Sequence, residues 1–125
     1  MQRILVVGAG RSASTLIKYL LDHSELNNWQ VIVADYDLTL ADQKVDNHPN
    51  GKAIHFDVFD EEQRNDEIRN ADIVVSMLPA SMHILLAEDC VFQAKNLVTA
   101  SYVSDEIASL NDKAKEKGVL LLNEI

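Results

Sequence analysis

The stretch "ILVVGAGRSAS", residues 4–14, decides how this chain is read. Four apolar residues run directly into Gly8 and Gly10, and small residues follow. A short apolar run closed by glycine reads as a strand buried on both faces. Beyond it, Ala13, Leu16, Ile17, Leu20 and Leu21 recur at helical spacing. The corner is therefore strand, glycine turn, helix. The first N–H groups of such a helix lack partners within it, and the helix dipole adds partial positive charge, so the corner suits an anion. Gly8 permits the tight turn. Gly10 leaves the backbone bare for a diphosphate. Ala13 is small where the helix must pack on the sheet. The string is the G-x-G-x-x-A form of the dinucleotide fingerprint. Ser12 and Ser14 add hydroxyl donors beside it. The competing reading is a plain tight turn, with no ligand.

A second element speaks against the plain turn. "WQVIVAD", residues 29–35, is a second buried strand, and it ends on Asp35, 22 residues past Ala13. A carboxylate there accepts hydrogen bonds from the adenosine ribose, although it could equally cap the loop that follows. Asp35 would repel a 2′-phosphate, which favours NAD over NADP as cofactor. No arginine follows it, since the next residues are Tyr36 and Asp37. Arg11 is the counterweight. It is either an exposed first-turn residue or a side chain that reaches a 2′-phosphate.

Working outward, strand and helix alternate to the end of the chain. The expected strands are residues 3–7, 29–35, 52–58, 71–78, 95–101 and 118–123. The expected helices follow Gly10 and then occupy residues 38–45, 60–70, 81–94 and 104–117. Asp60 and Ser104 are candidate N-caps, and Gly118 suits a helix end. Parallel strands need such crossovers. The expected fold class is α/β, a doubly wound Rossmann-type parallel sheet of six strands in the order 3-2-1-4-5-6, with helices on both faces. Residues 1–125 read as one dinucleotide-binding domain.

Ligands of such sheets lie across the carboxyl ends of the strands. Asp57 and Val58 are expected to end the third strand near an adenine. Ser76, Leu78 and Pro79, in "SMLP", end the fourth strand and either cover the cofactor or make an ordinary proline-stiffened turn. Ser101 and Tyr102, in "TASY", end the fifth strand and face the reactive end of a cofactor, or cap the next helix.

Bulk properties exclude several classes. The 125 residues are 47% hydrophobic and 25% charged, with a formal net charge of −9. That charge repels nucleic acid and anionic membrane surfaces. No apolar run reaches the length of a membrane span, and "ILVV" is too short for a signal peptide, so a cytoplasmic location is expected. Cys90, the single cysteine, sits among apolar residues and reads as a buried structural thiol. The four histidines, at 23, 48, 55 and 83, show no metal-ligand spacing. Tyr102 has Glu106 four residues on, so the Tyr-x-x-x-Lys pair of short-chain dehydrogenases is missing. The carboxylate-rich "DEEQRNDE" reads as a solvated helix face. No general acid or base announces itself, and the catalytic residues stay unknown.

Four segments, "GAGRSAST", "VSMLPASMH", "LVTASYVSDE" and "GVLLLNEI", together resemble the N-terminal dinucleotide domain of the saccharopine dehydrogenase (saccharopine reductase) family. The resemblance runs through the whole chain in order. It implies an NAD(P)-dependent oxidoreductase of lysine metabolism acting on CH–NH donors. Hydride passes to or from the secondary amine or imine joining two amino acids. It further implies that Gly8, Gly10, Arg11, Ser12 and Ala13 hold the diphosphate region and Asp35 the ribose. Ser76, Leu78 and Pro79 then line the cofactor, and Ser101 and Tyr102 lie near a small amino-acid substrate. Asn123 and Glu124 begin a loop toward the nicotinamide. In that family "NEI" continues into a substrate domain, so the chain reads as a fragment, inactive alone, with sheet edges free to pair with the missing domain or a second copy. Asp35 departs from relatives that use NADP. Other members act on polyamine precursors, which leaves the substrate open.

Two rival readings stand beside this one. A nucleotide-sensing Rossmann module of the potassium-transport-regulator type shares the glycine loop and the acidic residue. It has no need of "TASYV" or "LNEI". A methyltransferase fits less well, because its glycine spacing differs.

Overall fold

The computed structural model describes residues 2–99 and 121–123. Its strands are β1 (Gln2–Val7), β2 (Trp29–Asp35), β3 (Gly51–His55), β4 (Ile73–Ser76), β5 (Asn96–Thr99) and β6 (Leu121–Asn123). They form one sheet in the order β3-β2-β1-β4-β5-β6, with every neighbouring pair parallel. This is the doubly wound order, and the strand order reverses between β1 and β4, where such sheets bind ligands. The register aligns the carboxyl ends: Val7 pairs with Ala34 and Ser76, Asp35 with His55, and Ser76 with Thr99.

Alternation along the strands divides the core in two. Ile4, Val6, Val31 and Val33 point to one face, where Ile17, Leu20 and Leu21 of α1 (Ser14–Asp22) and Ala41 and Val45 of α3 (Leu38–Val45) cover them. Leu5, Val7, Ile32 and Ala34 point to the other, against Ile68 of α4 (Glu61–Asn70) and Leu86, Ala87, Cys90 and Val91 of α5 (Ala80–Phe92). Burial of each fully enclosed Leu, Ile or Phe contributes about 1.5–3 kcal/mol. Cys90 is one of these core side chains. Burial first, and then the charge of Asp89, pushes its thiol up to about 12, so it stays protonated and inert.

Helix ends follow the expected chemistry. The Asp60 carboxylate accepts the Gln63 N–H at 3.1 Å and starts α4, and Asp37 does the same for α3 through Leu40 at 3.2 Å. A one-turn helix, α2 (Ser24–Asn27), follows α1 and ends at Asn28 in the left-handed region, a conformation asparagine tolerates. The sequence reading contained no such element.

Several boundaries differ from expectation. β3 stops at His55, so Asp57 and Val58 lie in the following loop and do not end the strand. The Asp57 carboxylate accepts the Phe59 N–H at 3.0 Å, and this side-chain turn ends the extended run. β4 is shorter than its apolar sequence, because Met77 and Leu78 already belong to the turn before α5. The helix expected over 104–117, and Ser101 and Tyr102, lie outside the described residues.

The polar α4 is not wholly solvated. Arg64 is buried, its Nε donates to the Asp89 carboxylate of α5 at 2.6 Å, and its guanidinium also donates to the Val58 carbonyl at 2.7 Å. Removing one partner of a buried pair strands the other. Arg64→Leu is therefore expected to destabilise the chain by about 2–3 kcal/mol, below the figure for fully enclosed pairs because Asp89 keeps some exposure. Thermal denaturation should show Tm lower by roughly 8–12 °C. A shift under 2 °C would mean that the pair contributes nothing.

Candidate functional site

Gly8 leaves β1 with φ +103°, a conformation open essentially to glycine alone. A Cβ there would stand 3.0 Å from the Met77 carbonyl carbon. The turn after β4 is thus pressed against the glycine turn, and Met77 N–H donates to the Val7 carbonyl at 2.8 Å. Gly10 is different. Its backbone is extended, with φ −71°, and a Cβ built on it meets none of the described residues within 4 Å. The space above Gly10 is open, and the helical N–H groups begin there. Arg11–Ala13 form a 3-10 turn leading into α1, closed by the Ala13 N–H on the Gly10 carbonyl at 3.0 Å. Ala13 is fully buried in the α1-side core, Arg11 is exposed, and Ser12 lies within the turn.

Asp35 stands at the end of β2 beside this corner. Its Oδ2 accepts the Ala9 N–H at 2.7 Å, and its Oδ1 accepts the Asp37 N–H at 2.8 Å. The carboxylate therefore touches the glycine loop itself.

Next to Asp35 opens a cleft of about 470 Å³. Val7 and Ala34 form its floor, and Phe56, Val58, Leu78 and Met82 its apolar walls. Asp35, Tyr36, Asp57 and Phe59 stand at its polar and aromatic rim. Tyr36 and Phe59 are exposed, and the Tyr36 ring lies 5.1 Å from that of His55. Among the described residues, no lysine or arginine lines the cleft. A flat heteroaromatic group bound there would meet apolar surface on both sides and carboxylates at its edge.

The structure thus brings together Gly8, Gly10, Ala13, Asp35, Asp57, Val58 and Leu78. Ser76 is fully buried at the end of β4, and Pro79 is an exposed residue that caps the start of α5. Tyr36, Phe56, Phe59 and Met82 were missed in the sequence as site residues. The available signal was the aromatic residue directly after each of β2 and β3, Tyr36 and Phe56. Among the described residues no cluster of histidine, cysteine and carboxylate could hold a metal, and no helix is long and apolar enough to cross a membrane.

Residues 4–122 match the family model described as saccharopine dehydrogenase NADP binding domain. The chain belongs to this family. It is 34% identical over 139 aligned residues to an alpha-aminoadipic semialdehyde synthase of Arabidopsis thaliana, covering 98% of the chain and 13% of that protein. It is 31% identical to an NADP(+), L-glutamate-forming saccharopine dehydrogenase of Schizosaccharomyces pombe, over the whole chain and 27% of that enzyme. The apo L-glutamate-forming saccharopine dehydrogenase of Saccharomyces cerevisiae superposes with a TM-score of 0.89 at 26% identity, again over all of the chain and 27% of the enzyme. The saccharopine dehydrogenase relatives are oxidoreductases of small-molecule substrates, and they give no support to the transport-regulator alternative. The chain spans about an eighth to a quarter of the length of these relatives. Membership carries a nicotinamide cofactor with it.

Proposed function

We propose that residues 1–125 serve as the dinucleotide-binding domain of a larger cytoplasmic oxidoreductase. In this reading the pyrophosphate lies over Gly10 at the start of the 3-10 turn, where Arg11, Ser12 and Ala13 offer first-turn N–H groups. Asp35 accepts the adenosine ribose hydroxyls, and the adenine enters the cleft between Val58 and Leu78, with Asp57 at its edge. The turn from Ser76 to Pro79 flanks the path toward the nicotinamide. Ser101 and Tyr102 stand with the substrate, a secondary amine or imine joining two amino acids, to or from which the nicotinamide carries hydride. Most of the whole enzyme's substrate contacts lie with the rest of that protein, and the sheet edges of this domain pair with it or with a second copy.

The observation that carries this reading is a Gly10 whose Cβ position meets no described residue, next to an Ala9 amide held by the Asp35 carboxylate, which itself lines an apolar slot. The fit to a dinucleotide is chemical as well as spatial. The bare turn suits an anion, and the slot suits a base.

The same arrangement favours NAD over NADP, although the family description and the yeast relative name NADP. Asp35 is held in place by two backbone amides, so it cannot readily swing away from a 2′-phosphate. Asp37 and Asp57 add negative charge nearby. Like charges a few ångströms apart at a protein surface repel by a few kcal/mol. Calorimetric titration with both dinucleotides is expected to show NAD tighter by about tenfold or more. Equal affinity, or tighter NADP, would mean that Arg11 overrides the carboxylates.

A further inference from the structure

We propose that Asp35 is a positioning residue for the glycine loop as well as a ribose partner, so that a single carboxylate sets both the choice of dinucleotide and the shape of the phosphate turn. This rests on the dinucleotide reading above. Ala9 is fully buried between the two glycines, so its N–H must find a partner inside the protein. The partner is Asp35 Oδ2, 26 residues along the chain, at 2.7 Å. Asp35 Oδ1 meanwhile holds the Asp37 N–H at the start of the next loop. The carboxylate therefore fastens the loop after β1 to the loop after β2, directly across the corner where a diphosphate and a ribose would meet. Each carboxylate oxygen keeps a further lone pair, so a ribose hydroxyl can be accepted without releasing either amide.

Only an ionised carboxylate does this. An asparagine presents one oxygen and one NH₂ group, which leaves one of the two amides facing a donor. A serine hydroxyl is too short to span both. Replacing Asp35 with a small neutral residue thus removes the repulsion toward a 2′-phosphate and at the same time strands the buried Ala9 N–H. The expected result is weaker binding of both dinucleotides, and not an exchange of NAD preference for NADP preference.

The test compares the ¹⁵N-labelled 125-residue chain with Asp35→Asn and Asp35→Ser, using ADP and 2′,3′-dideoxy-ADP. The second ligand keeps the diphosphate and lacks both ribose hydroxyls. If charge alone mattered, losing a carboxylate beside a diphosphate would tighten dideoxy-ADP binding. Positioning predicts the reverse, a loss of roughly tenfold. The Ala9 amide proton should move upfield and exchange faster in Asp35→Ser, and in Asp35→Asn either the Ala9 or the Asp37 amide should do so, while the Val33 amide in the centre of β2 stays unchanged. Unchanged or tighter dideoxy-ADP binding by Asp35→Ser, with an unmoved Ala9 resonance, overturns the proposal. So does an Asp35→Ser chain that gains NADP affinity and keeps its NAD affinity. If the unaltered chain binds neither nucleotide, the dinucleotide reading falls. The Ala9 resonance then decides the positioning role alone, and an unmoved signal overturns it.

Discussion

Gly10→Val is expected to weaken NAD binding by at least about a hundredfold while leaving Tm within about 2 °C. The two halves of this result come from different facts. Gly10 has an extended backbone with negative φ, which valine adopts without strain, and a Cβ at this position touches none of the described residues. The fold therefore has no objection to the side chain. The volume that valine fills is the open approach to the first-turn amides, and a diphosphate cannot share it. Calorimetry with NAD, paired with a thermal melt, measures both halves. Undiminished affinity would place the phosphates elsewhere and remove the basis for the nucleotide site.

Gly8→Val, two residues earlier, should do the opposite. At φ +103° a β-branched residue is strained, and its Cβ would sit 3.0 Å from the Met77 carbonyl carbon and 3.1 Å from its oxygen. Relief requires moving the turn before α5, which is anchored by the Met77 N–H on Val7. The expected cost is about 3–5 kcal/mol, enough to lower Tm by roughly 10–20 °C or to prevent accumulation of folded chain. Denaturant unfolding provides the measurement. A Gly8→Val chain as stable as its parent would show that the two turns do not press on each other. Taken together, the two glycines divide the fingerprint's work: Gly8 keeps the sheet's switch point closed, and Gly10 keeps it accessible.

The sequence carried the fold because its strands are apolar on both faces and its helices on one. β2 and α3 fall where "WQVIVAD" and "LTLADQKV" put them. β3 was read too long because Phe56 and Val58 are apolar for another reason. They wall a cleft beneath a loop, and periodicity cannot tell that burial from a strand's. Arg64 was hidden for a different reason. Local spacing makes it one more charge on a polar helix, whereas its partner Asp89 lies 25 residues on in another helix. The place of Asp35 at the end of the second strand singled it out as the expected ribose partner. Its bond to Ala9 depends on how closely two loops approach in space, and no count of residues conveys that distance.

The Asp35–Ala9 bond also bears on how such a domain could diverge. Were a descendant placed where only the phosphorylated dinucleotide is plentiful, one codon change at Asp35 would leave it with a slack turn and no new ligand. A second change, supplying another acceptor for the Ala9 amide, would have to come first or arrive together with it. If Asp35 holds both the ribose and the loop, as proposed, coenzyme exchange starting from this chain would be a two-step path whose intermediate is poorer than either end.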